Sequence, residues 1–196
     1  MIDPDNITNY NMTDEELEEN LIFWVLVAGK TARVVNRQLE NLLANLRDIF
    51  QNSPVELRPF QLLRFYISSF GVTNLAGLMR KHGMGQFNQK AGYLNDLVHR
   101  LIDLHTCTLE ELLSIKGIGL KTAKAFLMHS RPGQQHACLD VHILRWMREL
   151  GVKNVPESTP TGNQYARLEG IFLKICNLFE VTPAELDLII WRQKSR

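Results

Sequence analysis

The chain has 196 residues, 45% of them hydrophobic, and its 22 basic and 21 acidic residues leave a formal charge of +1. That is enough apolar material for one or two compact lobes, whereas the apolar run Leu21–Ala28 is far too short to span a membrane and the acidic start is unlike a secretory signal. Three widely separated cysteines, Cys107, Cys138 and Cys176, exclude a disulfide scaffold and point to reducing, intracellular conditions.

Helix starts recur along the chain. Thr13 with Glu16 has the capping-box pattern, in which a hydroxyl accepts from an amide three residues on and the glutamate reaches back. It opens a helix that runs into Leu21–Ala28. Leu39, Leu42, Leu43, Leu46 and Ile49 then repeat at helical spacing. Ser53 with Glu56, and Pro54 in the first turn, predicts another helix start. Gly83-Met84-Gly85 separates one helix from the next, which carries Phe87-Asn88-Gln89-Lys90-Ala91. Thr108 with Glu111 and Thr182 with Glu185 (behind Pro183) repeat the capping signal, and Pro156 to Gly162 reads as a polar connection. No stretch alternates like a strand, so the expected fold is all-α with roughly ten helices.

The most informative segment lies between Thr108 and His142. The helix after Thr108 is short, because Gly117 and Gly119 permit a tight hairpin through positive φ or close backbone approach. A second helix, from about Leu120 to His129, follows at once. Backbone amides at such a hairpin and helix N-terminus suit a phosphate oxygen and are indifferent to base identity. Lys121 falls in the first turn, where the helix dipole disfavours a charged amine, and partial burial would leave neutral amine for nucleophilic attack. Arg131-Pro132-Gly133-Gln134-Gln135 is a loop, after which Asp140 fits as N-cap of a helix from Val141 to Leu150. Cys138 reads as a small buried hydrophobe more readily than as a ligand or nucleophile.

The near-neutral charge is uneven. Residues 1–20 hold seven acidic and no basic residues, so the remainder carries 22 basic and 14 acidic residues, a net +8. Around the hairpin, Lys116, Lys121, Lys124, Arg131, Arg145, Arg148 and Lys153 outnumber Asp140 and Glu149. This local excess is what phosphate contact requires, although a solvated face explains any single lysine equally well.

The hairpin with Lys121 and Asp140 resembles the helix-hairpin-helix DNA glycosylase/AP lyase superfamily, which includes endonuclease III and the 8-oxoguanine glycosylases. Phe87–Ala91 and Leu21–Ala28 are similar to further segments of that family. The three cysteines cannot build the four-cysteine iron–sulfur loop of endonuclease III. The short chain and its ending, Thr182 through Trp191 to Arg196, look closest to the compact archaeal-type 8-oxoguanine glycosylases. The resemblance implies two helical lobes with a DNA-binding cleft between them. One lobe is residues 21–139, containing the hairpin at about 108–130; the other is discontinuous, residues 1–20 plus 140–196. It implies that Lys121 attacks the sugar C1′ and forms a Schiff base, that Asp140 assists deprotonation and stabilises developing positive charge, and that elimination nicks the strand 3′ to the lesion.

The same resemblance implies DNA contacts from Gly117, Gly119, Lys116, Lys124 and a phosphate contact from His142. Gln86 sits where the family inserts a wedge, or is a plain turn residue; Lys30 is a second probe or a solvated lysine. Trp191 either stacks on an extruded purine or packs under the last helix, and the final residues would help hold the base. No cofactor, metal or iron–sulfur cluster is expected, with room at the hairpin for a structural monovalent or divalent cation. The expected partner is double-stranded DNA carrying a damaged base, bound by a monomer in the cytoplasm, nucleoid or nucleus. The expected lesion is 8-oxoguanine. The alternatives are an oxidised pyrimidine such as thymine glycol, a monofunctional glycosylase that does not need Lys121, and a non-catalytic hairpin module.

Overall fold

The computed structural model describes residues 2–194, which contain ten helices and no strand. The chain divides into two compact units.

The first unit, Met1–Pro4 with Met12–Ile118, holds α1 (Asp14–Val27), α2 (Ala32–Ile49), α3 (Pro59–Phe70), α4 (Val72–Lys81), α5 (Phe87–Val98) and α6 (Leu109–Leu113). Thr13 and Glu16 close both bonds of their capping box, as do Thr108 and Glu111. Helix α1 buries residues around its whole circumference from Leu17 to Val27, which makes it the central helix of the unit. Helix α2 buries one stripe, Val35, Leu39, Leu42, Leu43 and Leu46, as its spacing predicts. Each such leucine contributes roughly 1.5–3 kcal/mol on leaving water. Ser53 does not start a helix: its hydroxyl donates to the Val55 carbonyl at 2.8 Å, closing a local turn. The helix begins later, at Pro59, where Gln61 accepts from the Arg58 amide at 3.0 Å. A side chain that can satisfy its own neighbouring backbone competes with helix initiation, and here the turn wins.

The second unit, Asp5–Asn11 with Gly119–Arg196, holds α7 (Leu120–Ser130), α8 (Val141–Glu149), α9 (Gly162–Leu178) and α10 (Pro183–Lys194). Leu139, Ile143, Leu144, Met147, Tyr165, Leu168, Phe172 and Ile190 form its core. Thr182 and Glu185 complete the capping box of α10. The short segment Asp5–Asn11 straps this unit: the Asn9 amide donates to the His129 carbonyl at 3.0 Å, and Arg192 donates to the Asp5 carbonyl at 2.8 and 2.6 Å.

The division falls inside the hairpin, between Ile118 and Gly119, rather than at the expected 139/140 boundary. Helix α7 is buried from Thr122 to Ser130 and packs against α10, which ties it to the second unit. Lys121 and Asp140 therefore belong to one unit instead of approaching from two.

Candidate active site

The hairpin is built as its glycines require in one case and not in the other. Gly117 has φ +91°, and a Cβ there would lie 2.2 Å from Cγ of Tyr93, so both the backbone and the aromatic ring demand glycine. Gly119 has ordinary extended backbone (φ −99°, ψ 177°) and caps α7 without a side-chain hydrogen bond. The first amides of α7 are thus left without a side-chain cap, and Lys121 lies half-buried in that first turn. The neighbouring Lys116 is exposed on the first unit, its amide held by Asp96 at 2.9 Å.

Asp140 is the N-cap of α8, accepting from the His142 and Ile143 amides at 2.8 and 2.9 Å through Oδ1. Burial pushes its carboxyl above the ordinary carboxylate range, and the carboxylate of Asp187 adds to the rise; Lys121, the Ile143 amide and His142 oppose it. The same charges, Lys121, Asp187 and Asp140, act on Cys138, whose thiol burial drives well upward. Lys121, Cys138, Asp140 and Asp187 accordingly form one electrostatic cluster. Cys138 within it is an inert protonated thiol rather than a nucleophile. His142 keeps Nδ1 buried with no hydrogen-bond partner among the described residues.

Three features were not anticipated from sequence. Asp187 is a buried carboxylate in the last helix, and Trp191 follows it by one helical turn on the same face, itself half-buried. An acidic residue set among Leu186, Leu188, Ile189 and Ile190 was the only available signal. His129, assigned no role by its sequence neighbours, is fully buried and faces Asp187 at 3.3 Å. Lys124, expected at a phosphate, is buried instead: it pairs with Glu169 and lies 4.7 Å from the centre of the Tyr165 ring. Its position on the inward face of α7 corrects the expected surface role. Glu169 also accepts from the Ala137 amide at 3.0 Å, and Tyr165 donates to the Ala137 carbonyl at 2.6 Å, which fixes the backbone leading into Asp140.

On the first unit, Gln86 is exposed at the N-cap of α5 with left-handed backbone, φ 55°. A Cβ on Gly85 would meet Lys30 Nζ at 2.7 Å, so the exposed Lys30 and Gln86 share one surface spot. Beneath them Lys90 is buried and donates to the Leu26 carbonyl. Burial, with the charge of Lys30, lowers the Lys90 ammonium below its ordinary range. The last residues of the expected base-holding end, Ser195 and Arg196, lie outside the described residues. The described residues hold no cluster of His, Cys, Asp and Glu suited to a metal ion, and no helix long and apolar enough to cross a membrane.

A sequence profile for the family described as 8-oxoguanine DNA glycosylase matches residues 5–181. The 8-oxoguanine DNA glycosylase/AP lyase of Fusobacterium nucleatum is 32% identical over 82 residues, covering 42% of this chain and 38% of that protein. The matched stretches span less than half the length of these curated relatives. Among solved structures, the 8-oxoguanine DNA glycosylase of Thermotoga maritima is similar with a TM-score of 0.64 and 25% identity, over 94% of this chain and 82% of that one. The Methanocaldococcus jannaschii 8-oxoguanine glycosylase/lyase, solved with DNA containing 8-oxoguanine, shares the fold at a TM-score of 0.66 and 23% identity, over 94% and 83% of the two chains.

Proposed function

Because the chain belongs to the 8-oxoguanine DNA glycosylase family, we propose that it is a bifunctional DNA glycosylase/AP lyase that removes 8-oxoguanine from double-stranded DNA and nicks the strand. The observation that carries this reading is the placement of an amine and a carboxylate, Lys121 and Asp140, within one electrostatic cluster at the N-termini of α7 and α8.

The chemistry follows from those groups. A stacked base is unreachable, so the nucleotide must be extruded. The Lys121 ammonium gives a proton to Asp140, whose basicity burial raises above that of an ordinary carboxylate. The free amine bonds to C1′ as the glycosidic bond breaks and the base leaves with the electron pair. Because that proton passes in step with the attack, the Asp140 carboxylate still carries negative charge as the glycosidic bond lengthens and offsets the positive charge developing on the sugar. Ring opening yields an imine between Lys121 and C1′. Loss of a proton from C2′ then expels the 3′ phosphate and leaves the nick.

The remaining roles are part of the proposal. Amides at the start of α7, the turn at Gly117 and Gly119, and exposed Lys116 receive phosphates. His142 Nδ1, buried and unsatisfied, is a ready partner for a phosphate at the start of α8. Gln86 enters the stack beside Lys30, and Trp191 offers its π-face to the extruded purine. We further infer a monomer acting inside the cell, consistent with three free buried thiols.

The test is borohydride trapping on duplexes with 8-oxoguanine, thymine glycol or an abasic site, beside undamaged DNA. A covalent adduct on 8-oxoguanine, absent in Lys121→Gln while DNA binding persists, is the expected result. Adduct on thymine glycol alone would keep the mechanism and replace the substrate. No adduct even at the abasic site would sink the lyase assignment.

A further inference from the structure

Lys90 takes no part in the chemistry above, yet it closes a circuit of contacts beneath the exposed side chains of Lys30 and Gln86. It stands in the first turn of α5 at 4% exposure, and its Nζ donates to the Leu26 carbonyl, one of the last in α1 that lack a helical partner. The next carbonyl, that of Val27, accepts the Lys30 amide at 2.9 Å. The Lys30 side chain then lies back on Gly85, where an added Cβ would meet its Nζ at 2.7 Å and its Cε at 2.9 Å. Gln86 follows Gly85, and its carbonyl accepts the Lys90 amide at 2.9 Å. The circuit thus runs from Lys90 through Leu26, Val27, Lys30, Gly85 and Gln86 back to Lys90. Gln38 braces it from α2 by donating to the Gly83 carbonyl at 2.8 Å.

We propose that Lys90 is a positioning residue: it locks the turn bearing Lys30 to the turn bearing Gln86, so that both side chains enter the duplex as one piece and base extrusion depends on a buried group that does not touch DNA. This consequence rests on the glycosylase reading; the tie between the turns does not. Two observations point past a packing role. Gln86 holds left-handed backbone, φ 55°, where a residue other than glycine is strained, and its side chain is left exposed instead of capping α5. The strain is retained for a side chain that the fold itself does not use. Lys90, for its part, has no carboxylate within ion-pair distance among the described residues, and its bond is to a carbonyl. A methionine of similar length would fill the same space without a buried nitrogen that no carboxylate neutralises. What only Lys90 supplies is the bond to Leu26, and that bond fixes where the Lys30 turn sits.

The experiment uses the full chain and a duplex with 2-aminopurine beside 8-oxoguanine, whose fluorescence rises as stacking is lost. Extrusion rates are compared for wild type, Lys90→Met, Gln86→Ala and the double variant Lys90→Met/Gln86→Ala. Lys90→Met should slow extrusion roughly tenfold while melting at the wild-type temperature. The double variant should be no slower than Gln86→Ala, because both changes disable the same wedge. Borohydride trapping at an abasic site, where no base has to be unstacked, should stay within about twofold of wild type in Lys90→Met. Wild-type extrusion in Lys90→Met, additive slowing in the double variant, or equal slowing on both substrates with a lowered Tm overturns the positioning role. Should Lys90→Met fail to fold, native-state hydrogen exchange of the unaltered chain carries the test. The Lys30 and Lys90 amides, each bonded within the circuit, should open together with one urea dependence. Separate openings overturn the tie. A wild type that neither extrudes nor traps would overturn the glycosylase reading, and the exchange result alone would then decide whether the two turns are tied.

Discussion

At the scale of single residues, two positions carry opposite lessons about strain. Gly117 is required twice, by its φ of +91° and by the Tyr93 ring that would lie 2.2 Å from an added Cβ. Gly117→Ala should destabilise by about 1–3 kcal/mol from backbone strain, and more if the ring cannot shift; a shift in the urea midpoint at constant slope measures it. Asp140 is the reverse case, a residue whose charge costs stability. Its folded carboxyl titrates above the unfolded value, so the native state binds more protons and stability falls as pH rises through that interval. Asp140→Asn keeps a competent N-cap and removes that penalty. The variant should therefore be as stable as wild type at acid pH and more stable near neutrality, with excision lost. Paired melting curves across pH check it, and a variant less stable at neutral pH would contradict the assigned burial of the charge.

At the scale of elements, α7 joins two functions that its sequence does not separate. Its first turn presents Lys121, while its interior turns bury Lys124, His129 and Ser130. Lys124 pairs with Glu169 and covers the Tyr165 ring, and these three hold Ala137 just before Asp140. Lys124→Met leaves the partly buried Glu169 carboxylate without its cation and should cost about 1–3 kcal/mol. Thermal unfolding reads the loss, and DNA affinity of the folded fraction should be unchanged. A variant of normal stability with weakened DNA binding would return Lys124 to the phosphate role first expected of it.

At the scale of the whole chain, the acidic start is absorbed internally. Asp14 pairs with Arg58 and His105, Glu15 with Arg47, and Glu18 with Arg58 while accepting from the Phe60 amide. Arg47 and Arg58 are engaged in these pairs, so of the net +8 after residue 20 a net +6 (20 basic less 14 acidic) is left to the rest of the chain, where Lys30 and Lys116 are exposed. On the proposed function, DNA affinity should fall linearly with the logarithm of salt, with a slope of about −0.9 per phosphate neutralised. Lys30→Ala and Lys116→Ala should each flatten that slope by about one, uniformly across sequences. Fluorescence titrations at several salt concentrations measure it, and an unchanged slope would remove that lysine from the interface.

What could be read from residues alone was whatever is local. Helical periodicity, three of the four capping boxes, the glycine hairpin and Asp140 as an N-cap each depend on neighbours within a few positions, and the structure builds them as expected. Ser53 failed for the same reason, because a still shorter contact with Val55 competed with the cap. The resemblance carried by the hairpin, Lys121 and Asp140 led to the right family before any fold was known. Only tertiary packing decided the rest. Burial of Lys124 depends on which face of α7 meets α9, and the cluster of Asp187, His129 and Thr8 brings together residues up to 179 positions apart. A carboxylate in an apolar helix and a lone histidine acquire meaning from what lies across the packed interface, and that information is absent from sequence spacing.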